Sequence, residues 1–208
     1  MLTFFKNAKK FLGLKDVHEE YHALHYKEGR VYASSPNALV WLDGKFGKRG
    51  SYDFVTGEKA DVKMPDFGRV IPRVNEEQSV YARMPYEGLV KLHAVLKGIA
   101  AMSAKVPDAA TVYLTWGSMT LDIEVLSATI SAKYPTEALM CNHTHFSSPR
   151  ARANTKELAG MIDYFCQRKT DMCVYAPLRV VLQTPLCFTA NGTGGVLTQV
   201  RDTEIAKS

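Results

Sequence analysis

Apolar residues recur along the chain with two different periods, one typical of helices and one typical of strands. At the N-terminus a period near 3.6 residues predicts an amphipathic helix over residues 3–13, with Thr3 as its cap and Gly13 at its end. The apolar face of this helix consists of Phe4, Phe5, Ala8, Phe11 and Leu12. From residue 17 to about residue 72 the pattern changes to short runs that alternate as strands do.

The segment between residues 64 and 78 is bounded by proline and predicts an extended linker. Beyond it, a strand is followed by a helix over residues 85–105, and three further strands follow that helix. The order then repeats, with a strand over residues 138–146 and a helix whose start resembles a capping box from Asn154 to Glu157. Residues 79–202 therefore read as β-α-β-β-β twice, which predicts an α+β fold with helices on one face of antiparallel sheets.

Composition narrows the function classes without choosing among them. The chain has 208 residues, of which 46% are hydrophobic and 23% charged, so disorder is excluded as the main interpretation. Its 26 basic and 21 acidic residues give a net charge of +5, which permits a polyanionic partner. Four cysteines without a Cys-x-x-Cys pair argue against a disulfide scaffold or a zinc finger. No leader peptide or membrane-spanning run stands out, so we expect a cytoplasmic protein without a membrane partner.

One short motif resembles a known family. The run from Pro65 to Pro72, Pro-Asp-Phe-Gly-Arg-Val-Ile-Pro, is similar to the Pro-Asp-aromatic-x-Arg-Val-Ile-Pro run of bacterial-type DNA sliding clamps, the β subunit of the replicative polymerase. Residues 15–44 also resemble that family, through Ala33, Ser34 and Leu39. The resemblance implies a DNA-clamp fold, with an abbreviated clamp-like domain over residues 1–78 and a complete one over residues 79–208.

The resemblance also implies a function. A sliding clamp does no covalent chemistry and needs no cofactor or metal; it encircles double-stranded DNA as a homo-oligomeric ring and holds polymerase on it. The short chain suggests a phage or mobile-element version. Such a protein needs basic side chains that meet phosphates without reading bases. The residues expected to bind DNA are Lys6, Lys9, Lys10, Lys91, Lys97, Lys105, Arg150, Arg152 and Lys156.

The same family implies a pocket for short peptides from DNA polymerase and the clamp loader. By resemblance its lining is Tyr21, Ser34, Leu39, Pro65, Arg69, Val70, Val196 and Thr198. The sequence departs from the family over residues 35–38 and over residues 197–201. Simpler interpretations stay open, because apolar lining residues also form ordinary cores and lysines on any outer helix face also interact with solvent.

Two other functions compete with the ring. A clamp fold that forms no ring would act as a binding module or decoy for host replication proteins. Alternatively, residues 18–22 read His-Glu-Glu-Tyr-His, which on a helix would place His18 and His22 on one face to bind zinc, as in a zinc hydrolase. The stretch fits a strand better, however, and a strand would set these two histidines about 13 Å apart.

Overall fold

The computed structural model describes residues 2–13, 19–72, 79–116, 120–125, 128–135, 137–139, 150–177 and 185–200. The helices are α1 (Leu2–Ala8), α2 (Phe67–Val70), α3 (Tyr86–Met102) and α4 (Thr155–Arg168). Shorter 3-10 turns cover Lys9–Phe11, Glu19–His22 and Pro107–Ala110.

The first five strands are β1 (Ala23–Lys27), β2 (Arg30–Ser34), β3 (Ala38–Asp43), β4 (Gly50–Asp53) and β5 (Ser79–Met84). The next five are β6 (Thr111–Trp116), β7 (Thr120–Val125), β8 (Ala128–Pro135), β9 (Glu137–Leu139) and β10 (Arg150–Asn154). The last three are β11 (Met172–Pro177), β12 (Leu186–Ala190) and β13 (Thr193–Leu197).

The strands form two antiparallel sheets. Nine of them pair in the order β4-β1-β2-β3-β13-β12-β11-β5-β9, and the other four pair in the order β10-β6-β7-β8. Strand β3 from the first third of the chain pairs with β13 near its end, so that Leu39 lies opposite Val196. One sheet therefore runs without a break across both regions that the sequence separates into domains.

The predicted doubled order is confirmed, because β5-α3-β6-β7-β8 is followed, after the short strand β9, by β10-α4-β11-β12-β13. The fold is α+β with antiparallel sheets, as the sequence indicates. Helix α4 begins as predicted: the Asn154 side chain accepts hydrogen bonds from the backbone N–H groups of Lys156 and Glu157. The strand that precedes α4 is β10, however, and not residues 138–146. Of those residues, 138 and 139 belong to β9, and residues 140–146 lie outside the described part.

Helices α1, α3 and α4 cover one face of the large sheet and enclose the main core. Strand β3 shows the division, because Val40 belongs to the main core whereas Leu39 and Trp41 belong to a second cluster. Neighbouring side chains of a strand point to opposite faces, so the second cluster lies on the face away from α1, α3 and α4. This outer cluster comprises Tyr32, Leu39, Trp41, Phe67, Cys187 and Val196.

Three local predictions need correction. Thr3 lies within α1 and does not cap it, and α1 ends at Ala8, where a 3-10 turn continues to the buried Phe11. The linker predicted over residues 64–78 is not extended throughout, because α2 forms within it and buries Phe67 in the outer cluster. Residues 73–78 of that linker lie outside the described part.

Candidate functional site

Helices α1, α3 and α4 lie side by side and meet at one carboxylate. Asp163 of α4 forms an ion pair with Lys10, and its Oδ1 lies 3.6 Å from Nε2 of His93 on α3. Burial disfavours the charged form of Asp163, but hydrogen bonds from Lys10 and Gln167 outweigh it and hold the pKa of the carboxyl below its usual value. Asn7 of α1 adds a hydrogen bond of 2.7 Å to Gln167. Helix α4 is therefore the middle member of a three-helix layer.

All seven lysines that the sequence singles out are exposed on this layer or just beyond the end of one of its helices. Helix α3 buries Leu89, Leu92, Leu96 and Ile99 against the sheet. At 100° per residue, Lys91 and Lys97 project on either side of the direction opposite to that buried stripe. Lys105 is exposed just beyond the end of α3. The other exposed lysines of the layer from the predicted set are Lys6, Lys9, Lys10 and Lys156.

Arg152 lies elsewhere. Its neighbours Ala151 and Ala153 are buried in the main core beneath the helices, so the alternation of β10 directs Arg152 to the other face of its sheet. There its guanidinium carbon lies 5.7 Å from the centre of the Tyr113 ring. This position separates Arg152 from the surface that the helix lysines share. The side chain of Arg150 is outside the described part.

A groove on the outer face of the large sheet gathers most of the predicted pocket residues. Seven of the eight line one cavity: Tyr21, Ser34, Leu39, Pro65, Val70, Val196 and Thr198. The remaining one, Arg69, is absent from the lining; its side chain is exposed, and its Nε lies 3.1 Å from Oδ2 of Asp66. The departing segment from Ser35 to Ala38 also lines the cavity and supplies one of its walls.

Besides residues 35–38, sequence reasoning missed Phe67 as a lining residue. Its ring stacks on Tyr32 with centroids 4.2 Å apart and planes within 12° of parallel. Within the motif Phe67 is the aromatic position between Asp66 and Gly68, so the signal was available. The family resemblance directed attention to Arg69 and Val70 instead. With Phe67 included, the groove is largely apolar and its floor packs against the sheet.

One polar atom in this groove lacks a partner. The Ser34 side chain is buried, and among the described residues its Oγ has no hydrogen-bond partner. A buried hydroxyl without a partner is destabilising, and a backbone or amide group of a bound molecule would satisfy it. Beyond Asn37 the groove continues into a polar cavity that also contacts Asn154 and Glu157, where Nδ2 of Asn37 donates to Oε1 of Glu157 at 2.9 Å.

A buried histidine supports the groove from below. Nε2 of His25 lies 2.8 Å from the carbonyl oxygen of Glu20, and Nδ1 lies 2.9 Å from Oγ of Ser51. The His25 ring also packs against Phe67, with centroids 5.5 Å apart. Burial lowers the pKa of His25, although the hydrogen bond to Glu20 opposes the change. His25 thus joins the turn that carries Tyr21 to the ring that lines the groove.

The zinc-hydrolase alternative gains no support. Residues 19–22 form a 3-10 turn, whereas the zinc motif needs an α-helix and our strand prediction is wrong at this point as well. His18 lies outside the described part. Within the described ranges, no group of three or more His, Cys, Asp or Glu side chains is placed to hold a metal ion. Nor is any described helix long and apolar enough to cross a membrane.

This arrangement of repeated units, with helices on one face of antiparallel sheets, is the fold of a DNA sliding clamp. The structure is similar to the C. crescentus β sliding clamp, with a TM-score of 0.71 and 14% identity over 97% of this chain and 63% of that one. The β chain of Streptococcus pneumoniae DNA polymerase III matches with a TM-score of 0.70 and 10% identity over 97% and 63% of the two chains.

The Bartonella birtlesii sliding clamp, solved bound to griselimycin, matches with a TM-score of 0.70 and 11% identity over 97% of this chain and 64% of that one. The chain thus spans somewhat less than two thirds of the length of these clamps. No protein-family model matches the sequence, and no curated protein is significantly similar to it. The relationship is therefore visible in the fold and not in overall sequence similarity.

Proposed function

We propose that this protein is a sliding-clamp-like processivity factor that contacts duplex DNA without sequence preference. The observation that carries the proposal is the set of exposed lysines on a helix layer whose other side is buried against a clamp-type sheet. Lysines reach phosphates as point charges and do not distinguish one base from another. Such contacts exchange easily along the duplex, which suits a protein that slides. The proposal includes no catalytic role.

The ring is part of the same proposal. We divide the chain into an abbreviated clamp-like domain over residues 1–78 and a complete one over residues 79–208, and several copies would close into a homo-oligomeric ring. The likeness to clamps supports this assembly at the level of the fold alone. A phage or mobile-element origin and a cytoplasmic location stay predictions, because no observation of the structure tests them.

The outer groove would receive the partner proteins. An extended peptide from a DNA polymerase or a clamp loader could place apolar side chains against Leu39, Phe67 and Val196, and its backbone could donate to Ser34 Oγ. The groove and the helix layer lie on opposite faces of the large sheet. A bound partner would therefore leave the DNA-contacting face accessible.

Oligomeric mass and retention on DNA test the ring. We expect a defined oligomer in sedimentation, and retention on circular DNA with loss from linear ends once the chain is loaded. Replacing both Lys91 and Lys97 by alanine should weaken retention, whereas replacing the exposed Lys63 between β4 and α2 should not. A chain that stays monomeric at high concentration and binds a clamp or a clamp loader would favour the decoy alternative and contradict the ring.

Griselimycin provides a probe for the groove, because a solved clamp binds it. We expect calorimetry to detect binding to this chain, and Val196→Glu to abolish that binding by placing a carboxylate in the buried lining. The matched control is Val55→Glu, since Val55 is an exposed valine outside the lining. Equal binding by both variants would show that the groove is not the site.

A further inference from the structure

The loop between β3 and β4 is a second basic surface that the predicted DNA contacts do not include. Its sequence from residue 44 to residue 50 is Gly-Lys-Phe-Gly-Lys-Arg-Gly, with three cations and no acidic residue. Lys45, Lys48 and Arg49 are all exposed. The loop faces the turn between β1 and β2, because the backbone N–H of Gly44 donates to the carbonyl of Gly29 at 2.8 Å.

The loop and the turn enclose a polar cavity of about 250 Å³. Four cations and one carboxylate line it, namely Lys27, Arg30, Lys48, Arg49 and Glu28, so its lining carries a net charge of +3. The carboxylate of Asp43 holds Arg30, with Nε and Oδ1 2.6 Å apart. In the described part of the chain, the side chain of Arg49 has no ion pair or hydrogen bond. A positive concave lining of this kind fits an anion.

Aromatic packing holds the loop in place. The Lys48 ammonium lies 4.4 Å from the centre of the Tyr52 ring and 5.9 Å from that of Tyr26, and such cation–π contacts are attractive. Phe46 packs edge-on against Tyr26 with centroids 5.6 Å apart. Because these contacts fix the loop before any ligand binds, less conformational entropy is lost on binding.

The same contacts show on which face of the large sheet the loop packs. Tyr26 belongs to the main core on the helix side of the large sheet, and both Phe46 and Tyr52 pack against that core. The Lys48 side chain therefore lies on the sheet face that also carries α1 and its lysines. Lys48 thus shares a face with the helix layer, whereas the Arg30 guanidinium lies 5.7 Å from the centre of the Trp41 ring, on the face of the outer cluster. The cavity therefore spans the end of the large sheet.

We propose that this cavity, which we call the β3–β4 cavity, binds a phosphate of the DNA backbone as an additional contact. The inference rests on the proposed function and deepens it, because it adds a fixed phosphate site to the helix lysines. The occupant is a phosphodiester group and not a base, since lysine and arginine line the cavity and no aromatic face is free of packing within it.

Fluorescence anisotropy with a labelled duplex of about 20 base pairs and mixed sequence tests the inference, over a salt range of about 0.05 to 0.3 M. The test variant carries Arg49→Ala, an exposed change in the cavity lining that leaves the aromatic packing of Lys48 intact. For each phosphate that the variant no longer binds, we expect the slope of log K against log salt to fall by about 1 and affinity at 0.1 M salt to fall about eight-fold.

Two comparisons make the result decisive. Lys63→Ala controls for the loss of an exposed charge, and the Lys91→Ala, Lys97→Ala variant reports on the helix layer. If the loop variant matches the Lys63 control while the helix variant loses affinity, the β3–β4 cavity is not a DNA site although the proposed function stands. If the parent protein binds no duplex at any salt concentration, the proposed function fails too. The inference would also be overturned if the loop variant kept the salt slope of the parent protein for DNA but lost binding to an acidic protein partner.

Discussion

The stacked pair of Phe67 and Tyr32 offers the sharpest test of the outer cluster. Phe67 comes from the segment between the two predicted domains, and Tyr32 comes from the centre of β2. Their rings are nearly parallel at 4.2 Å, and Phe67 is only 4% exposed. This packing fixes the segment to the sheet and makes it part of the folded core.

The cost of removing the ring follows from its burial. Truncation of a buried phenylalanine to alanine destabilises proteins by about 3–5 kcal/mol, because it removes buried area and leaves a cavity. We expect Phe67→Ala to lower the free energy of unfolding within that range. Val70 in the same short helix is 40% exposed, so Val70→Ala should cost less than about 1 kcal/mol. The contrast between two residues of one helical turn separates loss of packing from loss of helix.

A double-mutant cycle isolates the interaction between the two rings. The variants Phe67→Leu, Tyr32→Leu and the combined pair should give a coupling energy of about 0.5–1.5 kcal/mol, since stacked aromatic pairs contribute about that much beyond burial. Urea unfolding followed by circular dichroism measures each free energy, with equal m-values required for the comparison. A destabilisation below about 1 kcal/mol for Phe67→Ala, or additive single changes, would refute the stacking of Phe67 on Tyr32.

Three further predictions concern the stability of the sheet and its buried groups. Gly194→Ala should destabilise the protein by about 1–3 kcal/mol in the same urea assay, because the added Cβ would overlap the Trp41 ring. Burial lowers the pKa of His25 from 6.5, so the unfolded chain binds the proton more strongly than the folded chain does. The free energy of unfolding should therefore fall as the pH drops below 6.5, and the His25→Gln variant should lose this pH dependence. Burial raises the pKa of Cys187 to about 12, so alkylation measured by mass spectrometry at about pH 8 should be far slower than for the half-buried Cys173.

The repeated order of elements could be predicted from the sequence because the apolar residues of each helix recur with a helical period. Leu89, Leu92, Leu96 and Ile99 predict the buried stripe of α3, and the structure buries all four. The Asn154 cap was equally readable, because it depends on a local hydrogen bond. The predictions failed where tertiary contacts determine which residues form a strand. The strand before α4 reads Arg-Ala-Arg-Ala-Asn, and its small apolar side chains give too weak a signal to predict a strand.

The candidate site shows the same limit. Seven pocket positions came from resemblance to a family motif, and the structure gathers them because β3 pairs with β13. No local pattern could predict that pairing, since it joins residues more than 150 positions apart. The face occupied by Arg152 follows from the burial of Ala151 and Ala153, and alanine gives little indication of which side of a strand is buried.

The pairing of β3 with β13 supports both surfaces on which the proposed function depends. Leu39 and Val196 are direct partners across that pair, and both line the groove. The groove therefore exists only where the two predicted domains share one sheet. Val40, next to Leu39, packs beneath the helices on the opposite face. Because one pair of strands supports both faces, a change that opens the β3–β13 seam should weaken partner binding and DNA binding together, whereas surface changes such as Lys91→Ala should affect DNA binding alone.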